Sequence, residues 1–230
     1  MRYLGGKTRI APYVSIALKS LWTDKHTDYY EPFVGSGAIA ECMADKIDAP
    51  MLLSDLSLDL ILMYMALKDG WMPPENITES EYQELRVSEP SPLRGFAGYG
   101  ASYGGKFFGG YARGEGRNYA GETRKVLLKA MSKLGRADFI HCSYTDIQLT
   151  GKALIYCDPP YADTTEYGNA PKFDSNQFWT VVRDWREMGH TVVVSEYKSP
   201  DDFTSVWERE RSTNIRPKNG NESRVERLFI

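Results

Sequence analysis

Residues 28–68 constrain the fold more than any other stretch of the chain. Residues 28–34 have the composition of a strand and run into Gly35-Ser36-Gly37. Residues 38–45 read as a helix, 51–54 as a short apolar strand ending at Asp55, and 57–68 as an apolar helix. Strand, glycine turn, helix, strand opens a βαβ unit, and crossovers of that kind join parallel neighbours, so a parallel sheet is predicted. Ahead of it, Ile10, Tyr13, Val14, Ala17, Leu18 and Leu21 recur at helical spacing, which predicts an amphipathic helix over 6–21. Alternation resumes later. Helix 124–134, strands 137–142 and 153–157, helix 175–188 and strand 191–195 follow, and Asn219-Gly220 signals a turn before a closing strand at 224–230. The reading is an α/β sheet of six or seven strands.

Composition narrows the class. At 230 residues and 26.1 kDa the chain is one domain, or one domain carrying a smaller insert. With 42% apolar and 26% charged residues, wholesale disorder is excluded. The densest apolar run, 58–67, contains Asp59 and is too short to span a bilayer. No basic-then-apolar signal opens the chain, which reads against export. Cys42, Cys142 and Cys157 form no CxxC and no even framework, the pattern of a reduced, cytoplasmic protein. The histidines His26, His141 and His190 are not at ligand spacing, so zinc chemistry is not expected.

Net charge is −3, yet its distribution is uneven. Residues 86–136 hold ten basic and three acidic side chains, a local +7 that leaves −10 on the rest. Such asymmetry points to a basic face meeting a polyanion, the plainer reading being a solvated helix surface near 122–136. Within this region, residues 95–121 contain ten of the 20 glycines and seven aromatics. No helical or strand period is visible there, and a loop of this length is either functional or disordered. Interleaved aromatics argue for function.

Two motifs carry chemistry. A glycine turn between strand and helix lets a ligand approach the backbone and the helix N-terminus, and Asp55 stands where ribose hydroxyls would be accepted. The turn alone fits NAD or S-adenosylmethionine. Glu31-Pro32 tilts the choice, because an acid there repels a pyrophosphate and suits a cationic amino-acid group. Asp158-Pro159-Pro160-Tyr161 follows the apolar strand 153–157. Two prolines fix φ and remove two backbone donors, leaving carbonyls free as acceptors. An acid, a carbonyl and an aromatic ring at one corner suit an aromatic amine, against the alternative of a turn merely stiffened by proline. Cys157 precedes this motif at the end of a buried strand and reads as a core residue, not a nucleophile.

Together these residues resemble the S-adenosylmethionine-dependent amino-methyltransferases, and more narrowly the Dam-like N6-adenine DNA methyltransferases. Four stretches match in order: Arg2-Tyr3-Leu4-Gly5-Gly6-Lys7, Glu31 to Gly37, Cys142-Ser143-Tyr144-Thr145-Asp146, and Asp158 to Tyr161. The resemblance covers residues 1–67 and 137–230. It implies a Rossmann-like methyltransferase sheet of seven mostly parallel strands, interrupted at 68–136 by a target-recognition insert. It also implies that Tyr3, Lys7, Asp55 and Asp158 bind S-adenosylmethionine and that Phe33 with the backbone of Gly35 and Gly37 walls its methionine part. Glu31, Ser143 and Tyr144 are expected beside it.

The chemistry expected from the resemblance is methyl transfer to N6 of an adenine flipped out of duplex DNA, yielding S-adenosylhomocysteine without a metal. Asp158 and the Pro159 carbonyl would accept the two amine hydrogens, and Tyr161 would stack on the base. The insert departs from the GATC-reading sequence of better-known members. There, Lys106, Arg113 and Arg117 are expected on phosphates or base edges, with Tyr119 or Tyr111 wedging into the stack. The expected setting is the cytoplasm of a bacterial or phage-infected cell, as a monomer or weak dimer on DNA, with a cognate restriction enzyme as a partner. Alternatives are RNA adenine-N6 or DNA cytosine-N4 methylation, an NAD-dependent oxidoreductase, and a DNA-binding protein that has lost catalysis.

Overall fold

A computed structural model describes residues 1–160, 173–211 and 224–230. Its elements run α1 (Ala11–Leu21), β1 (Asp28–Glu31), α2 (Ala38–Ala44), β2 (Met51–Asp55), α3 (Leu58–Lys68), α4 (Glu79–Arg86), α5 (Pro92–Gly100), α6 (Tyr119–Leu134), β3 (Asp138–His141), β4 (Ala153–Cys157), α7 (Ser175–Glu187), β5 (Thr191–Glu196), β6 (Ser205–Arg211) and β7 (Arg224–Phe229). The strands form one seven-stranded sheet in the order β3-β2-β1-β4-β5-β7-β6. β1, β2, β3, β4 and β5 pair in parallel, and only β7 runs antiparallel to its neighbours. The seven-stranded, mostly parallel sheet implied by the resemblance is therefore borne out.

Two apolar layers cover the sheet. Tyr29, Leu53, Leu154, Tyr156, Val193 and Leu228 point to the face that carries α1, α2, α3 and α6. Tyr30, Ile155, Cys157, Val192, Val194 and Phe229 point to the face that carries α7. The period-2 alternation of each strand thus sends neighbouring residues into different cores. β4 is buried at every position, as a central parallel strand covered on both faces must be.

The glycine-rich stretch is more ordered than its lack of period predicts. α5 runs into it from Pro92, and Phe96 and Ala97 are fully buried in the main core. Burying the phenylalanine alone contributes roughly 2 kcal/mol. Glycine serves close approach here: a Cβ on Gly95 would stand 2.2 Å from the Asp59 carbonyl oxygen of α3, and one on Gly98 would stand 2.2 Å from the Phe107 ring. Packing overrides glycine's poor helix propensity. Start signals were present, though: Ser91 caps α5 ahead of Pro92, and Thr78 with Glu81 forms a capping box on α4.

Three further boundaries differ from expectation. α1 begins at Ala11 rather than residue 6, its first turn closed by the Lys7 carbonyl. α6 starts five residues early, at Tyr119, because the Asn118 side chain caps it. β6 was not foreseen. It is an edge strand bearing Glu208, Arg209 and Glu210, and charges of this kind on an edge prevent further strand pairing while hiding the strand pattern.

Candidate active site at the switch point of the sheet

From β1 the chain steps outward to β2 and β3, then returns to place β4 on the other side of β1. The loops after β1 and β4 therefore meet at the C-terminal edge, where strand order reverses and open α/β sheets bind their ligands. The first loop is Pro32 to Gly37 and the second is Asp158-Pro159-Pro160. Tyr161 lies outside the described residues.

The glycine loop is held from three sides. Gly35 and Gly37 adopt φ of +46° and +70°, a region other residues rarely enter. The Tyr64 hydroxyl donates to the Gly35 carbonyl at 3.0 Å. Asp55 Oδ2 accepts from the Gly35 amide at 3.0 Å, and Oδ1 accepts from the Ser57 amide at 2.9 Å. Burial raises the Asp55 carboxyl, and those two amides pull it back in part. Tyr3 lies over the turn, so that a Cβ on Gly35 would come 3.2 Å from its ring, and it stacks on Tyr99 of α5 at 5.1 Å. Tyr99 in turn shares a 2.8 Å hydrogen bond with Ser57. A residue of the expected recognition insert thus backs the Tyr3 ring that lies over the glycine loop, which the aperiodic sequence around it did not signal.

Charge gathers at the second loop. The Lys7 ammonium is buried, 3.2 Å from Asp158 Oδ1 and 2.6 Å from Glu226 Oε1 of β7. Burial works against its charge, but the Asp158 and Glu226 carboxylates prevail and raise its pKa. Ser195 of β5 donates to the same Glu226 oxygen at 2.7 Å. Glu31, also fully buried, accepts from the Tyr29 hydroxyl at 2.6 Å. Burial pushes the Glu31 carboxyl up to about 8, the tyrosine bond opposes this, and the Asp158 charge adds to it. Two carboxylates thus face one ammonium, a surplus of acid that favours an incoming cation.

Other expected residues fall into two groups. Phe33 packs 5.4 Å from the Tyr144 ring and 5.8 Å from that of Phe178, so Tyr144 supports the Phe33 ring. Ser143 accepts from the Thr145 hydroxyl at 2.8 Å within its own turn. Cys157 is buried and its thiol pKa is raised well above the usual range by that burial, consistent with a core role. Glu226 and Ser195 were missed. The signal was there for Glu226, since it is two residues before Leu228 on a strand and so shares the inward face.

The basic insert residues lie on the surface and are mostly engaged. Arg113 pairs with Glu79, and Arg117 pairs with Glu122 at 2.7 Å. Tyr119 is flanked by two guanidinium groups, Arg2 at 4.0 Å and Arg117 at 4.6 Å from its ring. Lys106 follows a short 3₁₀ turn at Tyr103–Gly105. Tyr111 is not free to wedge into a base stack: its hydroxyl donates to the Ile77 carbonyl at 2.8 Å and its ring packs on Tyr82.

Known proteins resemble this chain in the same terms. Two proteins named DNA adenine methylase, from two strains of Vibrio cholerae serotype O1, are each 29% identical to it over 172 residues. The alignment covers 64% of this chain and spans 61% of the relatives' length. The solved structure of a candidate methylase from Haemophilus influenzae aligns over 96% of this chain and 95% of that one, at 12% identity and a TM-score of 0.40. Residues 3–91, which take in Tyr3 to Lys7 and Glu31 to Gly37, match the family model described as D12 class N6 adenine-specific DNA methyltransferase, in agreement with the resemblance read from those motifs.

Proposed function

We propose that the chain transfers a methyl group from S-adenosylmethionine to the N6 amine of adenine in DNA. The observation that carries this reading is the meeting of Asp158-Pro159 with the glycine loop at the switch point, beside buried Lys7 and Glu31. Agreement with the adenine-specific family over residues 3–91 supports the choice of substrate.

The residues present fit the cofactor. A cradle with φ-positive glycines under the Tyr3 ring admits a ligand against the backbone, and the acid surplus suits its two cationic groups. Tyr3, the Gly35 and Gly37 backbone, Phe33 and Glu31 would hold it, with Asp55 fixing the loop and Tyr144 backing Phe33. Ser143 would line its far side. When bound, the cofactor supplies an electrophilic methyl group. Asp158, 21% exposed where Lys7 and Glu226 are sealed, faces the cleft. Its carboxylate and the Pro159 carbonyl accept the two hydrogens of the exocyclic amine, which favours a pyramidal nitrogen with its lone pair aimed along the line of transfer. The buried Lys7 ammonium steadies the Asp158 charge. An adenine must leave the duplex to reach this corner, and Tyr161 is its stacking platform in this reading.

Residues 68–136 act as the recognition segment while sharing the core of the sheet domain through α5 and α6. Lys106, Arg113, Arg117 and Tyr119 form its DNA-facing set. Labelled methyl transfer to unmethylated duplex DNA, followed by nucleoside digestion, tests the proposal. N6-methyladenine is expected from the native chain and none from Asp158→Ala. Cofactor binding without incorporation into DNA would overturn the substrate assignment and favour RNA.

A further inference from the structure

We propose that Glu226 is a positioning residue: it holds the Lys7 ammonium back from Asp158, so that the Asp158 carboxylate keeps its acceptor strength for the substrate amine. The inference rests on the methyltransferase reading.

Geometry supports it first. Lys7 sits between two carboxylates and is nearer Glu226, at 2.6 Å, than Asp158, at 3.2 Å. Glu226 is fully buried behind the ammonium, whereas Asp158 is partly exposed. Glu226 therefore cannot touch the substrate and can act only through Lys7. Its own position is set by Ser195, which donates to the oxygen that also receives Lys7. Three strands and the N-terminal loop converge here, since Glu226 lies on β7, Ser195 on β5, Asp158 after β4 and Lys7 before α1.

Charge balance gives the second reason. A hydrogen-bond acceptor works best when its negative charge is not neutralised by a closer donor. With one ammonium and one carboxylate, Lys7 would close fully on Asp158 and compete with the amine. A second carboxylate divides the ammonium and leaves Asp158 part of its charge. A link between β7 and the N-terminal loop serving stability alone would be at least as favourable with apolar side chains, because buried ion pairs seldom repay their desolvation. A buried charged trio at the reacting corner points to a role in the reaction.

Glu226→Gln tests this, because it keeps volume and an acceptor oxygen and removes the charge. At saturating substrates kcat is expected to fall roughly tenfold, the order associated with weakening one charge-assisted hydrogen bond at a reacting group, with KM for S-adenosylmethionine changed less than about threefold. Independently of turnover, nitrogen-15 NMR of lysine ammonium groups, with the Lys7 signal identified by its loss in Lys7→Met, reads the clamp itself. In Glu226→Gln, proton exchange at Lys7 is expected to quicken by about tenfold as one charge-assisted partner weakens. Ser195→Ala, a milder change, should move both quantities in the same direction by a smaller factor, and it serves if the glutamine variant does not fold. A native kcat, or native exchange at Lys7, overturns the proposal. Absence of methyl transfer by the native chain defeats the methyltransferase reading instead, while the exchange measurement still decides whether Glu226 clamps Lys7.

Discussion

The Gly35 amide donates to Asp55 Oδ2 at 3.0 Å, tying the turn after β1 to the end of β2 across twenty positions of sequence. With Ser57 on its other oxygen, the Asp55 carboxylate is a strut for the glycine loop. Asp55→Ala should leave two buried amides without acceptors and cost on the order of 1–3 kcal/mol of stability. Calorimetric titration with S-adenosylmethionine should show affinity weakened at least about tenfold, the equivalent of about 1.4 kcal/mol. Unchanged affinity in a destabilised variant would assign Asp55 to the fold alone.

Glu31 makes the fold sensitive to pH. It keeps its proton up to about 8 in the folded chain, against 4.5 for an unperturbed glutamate. Between those values the folded state binds more protons than the unfolded one, so the stability contributed by protonated Glu31 is present at low pH and is lost as pH rises across that window. Glu31→Gln should flatten this part of the pH dependence in thermal melts. A cation seated beside Glu31 favours its ionised form, so cofactor binding should release a proton and tighten as pH approaches 8. Binding that follows the same pH profile in native protein and Glu31→Gln would contradict this.

α5 offers a sharp test of the core. Gly95→Ala puts a Cβ 2.2 Å from the Asp59 carbonyl oxygen, which is backbone and cannot swing aside. A loss of roughly 3 kcal/mol or outright failure to fold is expected, as for severe overpacking. Chemical denaturation would reveal it, and a stability within about 0.5 kcal/mol of native, the range of a surface substitution, would mean that α5 does not pack on α3.

The Arg117–Glu122 ion pair offers a test of the proposed DNA contact. Arg117→Ala should weaken DNA binding and lower the slope of log K against log salt by about one unit per lost phosphate contact. Because Glu122 holds Arg117 at 2.7 Å, Glu122→Gln should release it and strengthen binding at low salt. Fluorescence anisotropy over a salt series measures both, and equal slopes for native and Arg117→Ala would remove Arg117 from the interface.

Much of the architecture is readable from short-range pattern. β4 was legible to the residue, since a fully buried strand is a continuous apolar run, and the glycine turn marked its own place between β1 and α2. The acid and prolines at Asp158, Pro159 and Pro160 marked the corner after β4 through residue type. α5 was not legible, because its glycines are tolerated only by virtue of what packs against them, and β6 was not, because edge charges erase the alternation that marks a strand. Sequence by itself determined the parallel sheet, the glycine turn after β1 and the acid-proline corner after β4, all of which depend on local periodicity, backbone freedom and functional groups. Only the tertiary structure decided that Tyr99 backs Tyr3 over the glycine loop and that Glu226 stands behind Lys7 and Asp158. Those contacts join residues far apart in the chain, and burial in a shared core, not any local preference, brings them together.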